Sequence, residues 1–139
     1  MASFKIFEVA GSGMNAQMVR LNITASNLAN ADSVSSSIEQ TYKSRQPVFA
    51  AHFQNAFDRL HGTATKVNIL GVVESKAPLQ MEYAPHHPMA NEQGYIFKPN
   101  VNTVEDLANM IAASRSYQNN IEVLNTAKEL MLQTLRLGQ

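Results

Sequence analysis

The sequence predicts a mainly α chain in which long N- and C-terminal helices pair as a coiled coil around a small β-rich insert, a discontinuous central domain. Three observations predict this. Apolar residues recur every seven positions at both ends of the chain, the stretch between them loses that period, and that stretch carries alternating apolar residues separated by prolines and turn residues instead. A C-terminal helix over residues 103–137 would be about 50 Å long at its rise per residue, more than one small core can cover. It needs a long partner, and the other end of the chain supplies one.

Taken in order, residues 1–31 form the N-terminal helix, in which Phe7, Met14, Leu21 and Leu28 are spaced by seven with Ala10, Met18 and Ala25 beside them. Residues 32–102 form the insert. It begins with a Ser-rich loop, Asp32 to Ser37, and after Pro47 a brief extended piece holds Val48 and Phe49. Apolar positions 49, 53, 56, 57 and 60 predict a short amphipathic helix closed by Gly62. Val67 and Ile69 alternate as in a strand, Gly71 suggests a bulge, and Val72 and Val73 continue the run. Leu79, Met81 and Tyr83 alternate again after Pro78. A turn-rich loop, Pro85 to Gly94, leads to Tyr95, Ile96 and Phe97. Residues 103–139 form the last helix, with Met110, Tyr117, Leu124 and Met131 spaced by seven and Leu107, Ile111, Ile121 and Leu135 flanking them. Asn102 with Glu105, or Thr103 with Asp106, offers the cap, and Gly138 the stop.

Bulk composition excludes several functions. Among 139 residues there are 11 basic and 11 acidic side chains, so no net positive charge draws in nucleic acid or an anionic membrane surface. There is no cysteine, which removes disulfides and thiolate zinc sites. No apolar run approaches the roughly 20 residues that span a bilayer. Lys5 and Glu8 interrupt what would be a signal peptide's apolar core. The expectation is a cytosolic chain, or one that leaves the cell without a cleaved signal.

The faces opposite the apolar stripes are unusual. From Ala10 to Ala31 the sole charged residue is Arg20, and amides and small residues fill the remaining polar positions; the C-terminal helix repeats this with Asn109, Gln118, Asn119, Asn120, Asn125 and Gln133. A solvated helix ordinarily carries Glu and Lys there. Amides both donate and accept hydrogen bonds without stranding a charge, so they suit an outer face that a neighbouring subunit also covers. On this reading Phe7, Met14, Leu21 and Leu28 meet Met110, Tyr117, Leu124 and Met131 within the chain. Arg20, Asn22, Asn27, Asn30, Arg115, Gln118, Asn119 and Asn120 reach other subunits. The competing reading is an ordinary helical hairpin with a polar exterior, a soluble adaptor that binds a partner helix.

Chemistry finds little support. Of the four histidines, His86 and His87 are adjacent, and with Glu82 and Glu92 they suggest a metal cluster or a small hydrolase. Neighbours on a strand point to opposite faces, however, and no His pair sits four apart on a predicted helix. Gly11-Ser12-Gly13 follows no strand and precedes no Lys-Ser/Thr, so it is no phosphate loop. No catalytic residue, cofactor or metal site is expected.

The segment LNITASNLANADS, Leu21 to Ser33, resembles the N-terminal signature of the flagellar rod, hook and filament-axial family. The run ASRSYQNNIEVLNTAKELM, Ala113 to Met131, followed by Thr134, Leu135 and Gly138, is similar to the C-terminus of the proximal rod branch of that family, as is GYIFKPNVN from Gly94 to Asn102 with His87-Pro88 before it. The resemblance implies a structural subunit of the bacterial basal-body rod. Such a subunit is exported by the flagellar type III apparatus and polymerises helically through its terminal helices into part of the drive shaft and export channel that crosses the periplasm. The implied neighbours are the rod proteins FlgB, FlgF and FlgG and the adaptor FliE. It also implies that the paired helices form the inner tube and the insert faces outward.

Overall fold

The computed structural model describes residues 2–52 and 65–138. In chain order these form α1 (Ala2–Asn30), β1 (Arg45–His52), β2 (Lys66–Glu74), β3 (Gln80–Tyr83), β4 (Tyr95–Lys98) and α2 (Thr103–Leu137). The fold is mainly helical with two small antiparallel sheets, β1–β2 and β3–β4.

The start of α2 is fixed locally. Asn102 is its cap: the side chain accepts from the Glu105 N–H at 3.3 Å and the carbonyl from the Asp106 N–H at 2.9 Å. Glu105 and Asp106 then face the positive end of the helix dipole. Gly138 ends the helix with φ of −93°, so the stop uses no left-handed turn.

The two helices pack side by side and run antiparallel. Three places of close approach set the register: Gly13 at Asn120, Arg20 at Asn109 and Asn27 at Asp106. Among the described residues, α1 is the element against which α2 packs. On α2 the deepest positions are Asp106, Ala113 and Ala127. With the half-buried Asn120 they recur every seven residues, and they alternate in three- and four-residue steps with Met110, Tyr117, Leu124 and Met131, all half-buried. The seam therefore mixes a line of small or polar side chains at its floor with a line of large ones along its flank. The floor lets the backbones come close. A Cβ added at Gly13 would sit 3.0 Å from the Asn120 Nδ2. On its other side α1 holds the β1–β2 hairpin, where the Val67 N–H donates to Ser12 Oγ at 3.1 Å and Lys66 pairs with Glu8 at 3.0 Å.

The predicted short helix over 49–60 is corrected at its start: Phe49 to His52 belong to β1 and pair with Ile69 to Lys66. Main-chain pairing with β2 outweighs a helical period there, and positions 53–60 lie outside the described residues. The bulge suggested by Gly71 is present, since Val48 pairs with Gly71 and Phe49 with Ile69, leaving Leu70 as the extra residue.

The β3–β4 hairpin closes through Asn91, whose Oδ1 accepts from the N–H groups of Gln93 and Tyr95 at 3.0 and 2.9 Å. Gly94, with φ of +82°, is required there: a Cβ would lie 2.8 Å from the Tyr83 ring and 3.2 Å from Pro85. Tyr83 and Tyr95 meet edge to face at 5.1 Å across the strands. Ser35 bridges to Phe97 and ties the loop after α1 to this sheet.

The apolar core is small. Among the described residues the buried hydrophobic side chains are Ala10, Ala16, Ile96, Ala113 and Ala127. Four of these are alanines, each hiding about one methyl, worth roughly 0.8 kcal/mol. Apart from Pro99, polar groups take the other buried places: Thr24, Asn27, Ser35, Thr41, Ser44 and Asp106.

Candidate assembly surfaces

Two kinds of surface result from this fold: a polar joint inside the chain and apolar helix faces left open outside it. The joint forms where α1, the loop before β1 and the first turn of α2 converge. Asn27 is fully buried there. Its Nδ2 donates to the Arg45 carbonyl at 2.9 Å and to Asp106 Oδ1 at 3.2 Å, with Ser44 Oγ farther off at 3.4 Å. Its Oδ1 accepts from the Tyr42 hydroxyl at 2.8 Å and from the Arg45 N–H at 3.0 Å. Both amide hydrogens and both lone pairs are used, as a buried amide requires.

Asn27 was expected at a contact between subunits, and that expectation is corrected: its whole hydrogen-bonding capacity is spent within the chain. Three others of the same set also turn inward or stay local. Arg20 donates from Nη2 to Asn109 Oδ1 at 2.7 Å across the helix pair, and Asn120 lies against Gly13. Asn30 donates to the Ser26 carbonyl one turn back at 2.8 Å. Asn22, Arg115, Gln118 and Asn119 are exposed. The physical reason lies in the seam floor, since Gly13, Arg20 and Asn27 recur every seven residues along α1 just as Asp106, Ala113, Asn120 and Ala127 do along α2. That second period, in small and polar residues, is the signal that a search for large apolar side chains passes over.

Phe7, Met14 and Leu21 stand at the levels of Leu124, Tyr117 and Met110 in this register, and each is half-buried. Leu28 is level with the first turn of α2, while Met131 is level with the beginning of α1. The last residues of α2 run past that beginning, and there Leu132, Leu135 and Leu137 are 47%, 69% and 87% exposed.

The open faces are apolar. Val104, Leu107, Ile111, Ile121, Val123 and Leu130 on α2 are exposed, as are Ile6 and Met18 on α1. Leu107, Ile111, Ile121 and Leu135, expected to widen the stripe toward the partner helix, point outward instead. A helix facing water on that side would lose nothing by carrying polar residues there, and an apolar face of this extent marks an interaction surface.

Titratable chemistry is sparse. Glu82 has its carboxyl held below the usual range, chiefly by a hydrogen bond from Lys98 and then by that ammonium's charge. Among the described residues no three His, Asp or Glu side chains group as a metal site. Nor, among these described residues, is any helix long and apolar enough to cross a membrane.

Both helices match known families. Residues 7–35 match the family described as flagella basal body rod protein, and residues 92–137 the family described as flagellar basal body rod FlgEFG protein C-terminal. Over its full length, and theirs, the chain is 49% identical to the flagellar basal-body rod protein FlgC of Salmonella typhimurium and 48% identical to that of an Escherichia coli O6:H1 strain. The FlgC of Borreliella burgdorferi is 30% identical across all of this chain and 99% of its own. The chain belongs to the FlgC family of flagellar basal-body rod proteins. FlgC proteins are structural rod subunits and not enzymes.

Proposed function

We propose that this rod subunit polymerises helically through its terminal helices, so that α1 and α2, paired as a coiled coil, form part of the inner tube of the drive shaft and export channel. The insert over 32–102 would face outward. The observation that carries this reading is that α2, whose buried residues are Asp106, Ala113 and Ala127, leaves Leu107, Ile111 and Ile121 exposed on one flank and Leu130 on another. Covering such side chains yields about 25 cal/mol per Å² of apolar area, so association supplies what the small internal core lacks. A head-to-tail helical array never closes, and every subunit then presents unlike patches to its neighbours.

FlgB, FlgF, FlgG and FliE are the neighbours this reading assigns, and the periplasmic part of the basal body is the location. Delivery is by the flagellar type III apparatus without a cleaved signal. A small core assists that route, because a chain with little internal stabilisation is readily kept unfolded for a narrow channel. Asn22, Arg115, Gln118 and Asn119 are proposed to hydrogen-bond across subunit contacts.

The test is sedimentation velocity of the full chain over a range of concentrations, beside the variant Ile111→Asp. Concentration-dependent assembly by the natural chain, abolished in the variant with helical circular dichroism unchanged, is the expected result. A natural chain that stays monomeric throughout, with termini resistant to protease, would favour the adaptor that binds a single partner helix.

A further inference from the structure

Residues Ser44 and Arg45 are the only way into β1 from the loop, and two asparagines grip their backbone from opposite sides. Asn27, on α1, bonds both the N–H and the carbonyl of Arg45, as a neighbouring strand would. Asn100, just before α2, accepts from the Ser44 N–H at 2.7 Å and donates to the Ala77 carbonyl at 2.8 Å. The Ser75 N–H donates to the Ser44 carbonyl at 2.7 Å, which brings the far end of β2 to the same point. Asp106, in the first turn of α2, then holds the Asn27 amide. Ser44, Asn27 and Asp106 are all buried, at 7%, 0% and 8% exposed.

We propose that Asn27 and Asn100 form a two-sided clamp that sets the angle between the helix pair and the β1–β2 hairpin, and that closes only when both ends of the chain are in place. Apolar contacts lack direction, and the Val67–Ser12 hydrogen bond and the Lys66–Glu8 pair hold the hairpin only at its other end. Hydrogen bonds to adjoining peptide units from two places in the chain fix it in orientation as well as position. One jaw, Asn27, belongs to the N-terminal helix and is held in turn by Asp106 of the C-terminal one; the other, Asn100, ends the insert just before the Asn102 cap. A chain with either segment unfolded therefore has an unclamped insert, which ties the orientation of the outer part of the subunit to the folding of the inner part. This inference concerns the single chain, and it stands or falls separately from the rod reading.

The chain has no cysteine, so two can be introduced for spin labels without background. Val72→Cys with Asn119→Cys reports the distance from hairpin to helix pair, and Asn22→Cys with Asn125→Cys reports the helix pair alone. All four positions are exposed. In the otherwise natural full chain both distance distributions should be narrow. Asn27→Ala should widen the hairpin-to-helix distribution by about twofold or more and leave the other unchanged, as release of a local joint does. If neither distribution changes, the clamp does not exist. If Asn27→Ala widens both, Asn100→Ala decides, because that residue lies outside either helix. Widening of the hairpin distance alone upholds the clamp, and a hairpin distance as narrow as in the natural chain overturns it.

Discussion

At Asn27 a single carboxamide joins four parts of the chain, and its chemistry allows no close substitute. Asn27→Asp would replace the amide donor facing the Arg45 carbonyl and Asp106 with oxygen, and set two carboxylates together in a buried site. The expected cost is roughly 3–5 kcal/mol, read as a lower urea midpoint, since an uncompensated charge is left inside. Adding Asp106→Asn to that variant should return part of the loss, because the amide and the acid have then exchanged places. If the pair of changes is no more stable than Asn27→Asp alone, the Asn27–Asp106 contact is not what the single change disrupts. Glu82 offers a milder case at the surface. Its carboxyl sits below the ordinary glutamate range because Lys98 donates to it, so the pair contributes above the unfolded glutamate value and is lost as pH falls through the lowered folded one. An NMR titration should place the Glu82 midpoint below that of an unpaired glutamate, and Lys98→Ala should abolish the difference.

At the scale of the helices, the seam's floor and its flank should respond differently to mutation. Ala113 is wholly buried, so Ala113→Leu has no room and should force α1 and α2 apart at about 1–3 kcal/mol in thermal or urea unfolding. Leu124 is only half-buried in the single chain, so Leu124→Ala should cost roughly 1–2 kcal/mol, less than a full core truncation. A larger loss from Leu124→Ala than from Ala113→Leu would reverse the assignment of floor and flank. Much of this was legible beforehand. The seven-residue spacing located both helices, Asn102 with Glu105 was one of the two caps on offer, and Gly71 marked the bulge. Which of two adjacent heptad lines lies deepest was not legible, because large apolar residues advertise burial while Gly13, Ala113 and Asn120 achieve it through close backbone approach. The continuation of the strand through Ala50 to His52 was missed for a related reason: the apolar spacing from Phe49 onward suits a helix, and only pairing with β2 makes it a strand.

For the whole molecule, the helices differ in length and are offset, so the end of α2 extends beyond the start of α1 with Leu132, Leu135 and Leu137 uncovered. Limited proteolysis of the free subunit should cut first within that overhang, since local opening costs least where few groups are buried. In an assembly through the helices the same bonds should become protected. Equal cleavage before and after assembly would remove the end of α2 from the contact surface.

The amino-acid sequence by itself determined the mainly helical class, with long helices at both ends and strands between them, because periodicity, caps and turn residues are local properties written in neighbouring positions; the family was legible in the segments Leu21 to Ser33 and Ala113 to Met131 that resemble it. The tertiary structure decided which side of each helix is inside. Asn27, Arg20 and Asn120 turned inward and Leu107, Ile111 and Ile121 outward, since burial depends on the closeness of two backbones and on hydrogen-bond partners distant in sequence, and no single helix carries that information alone.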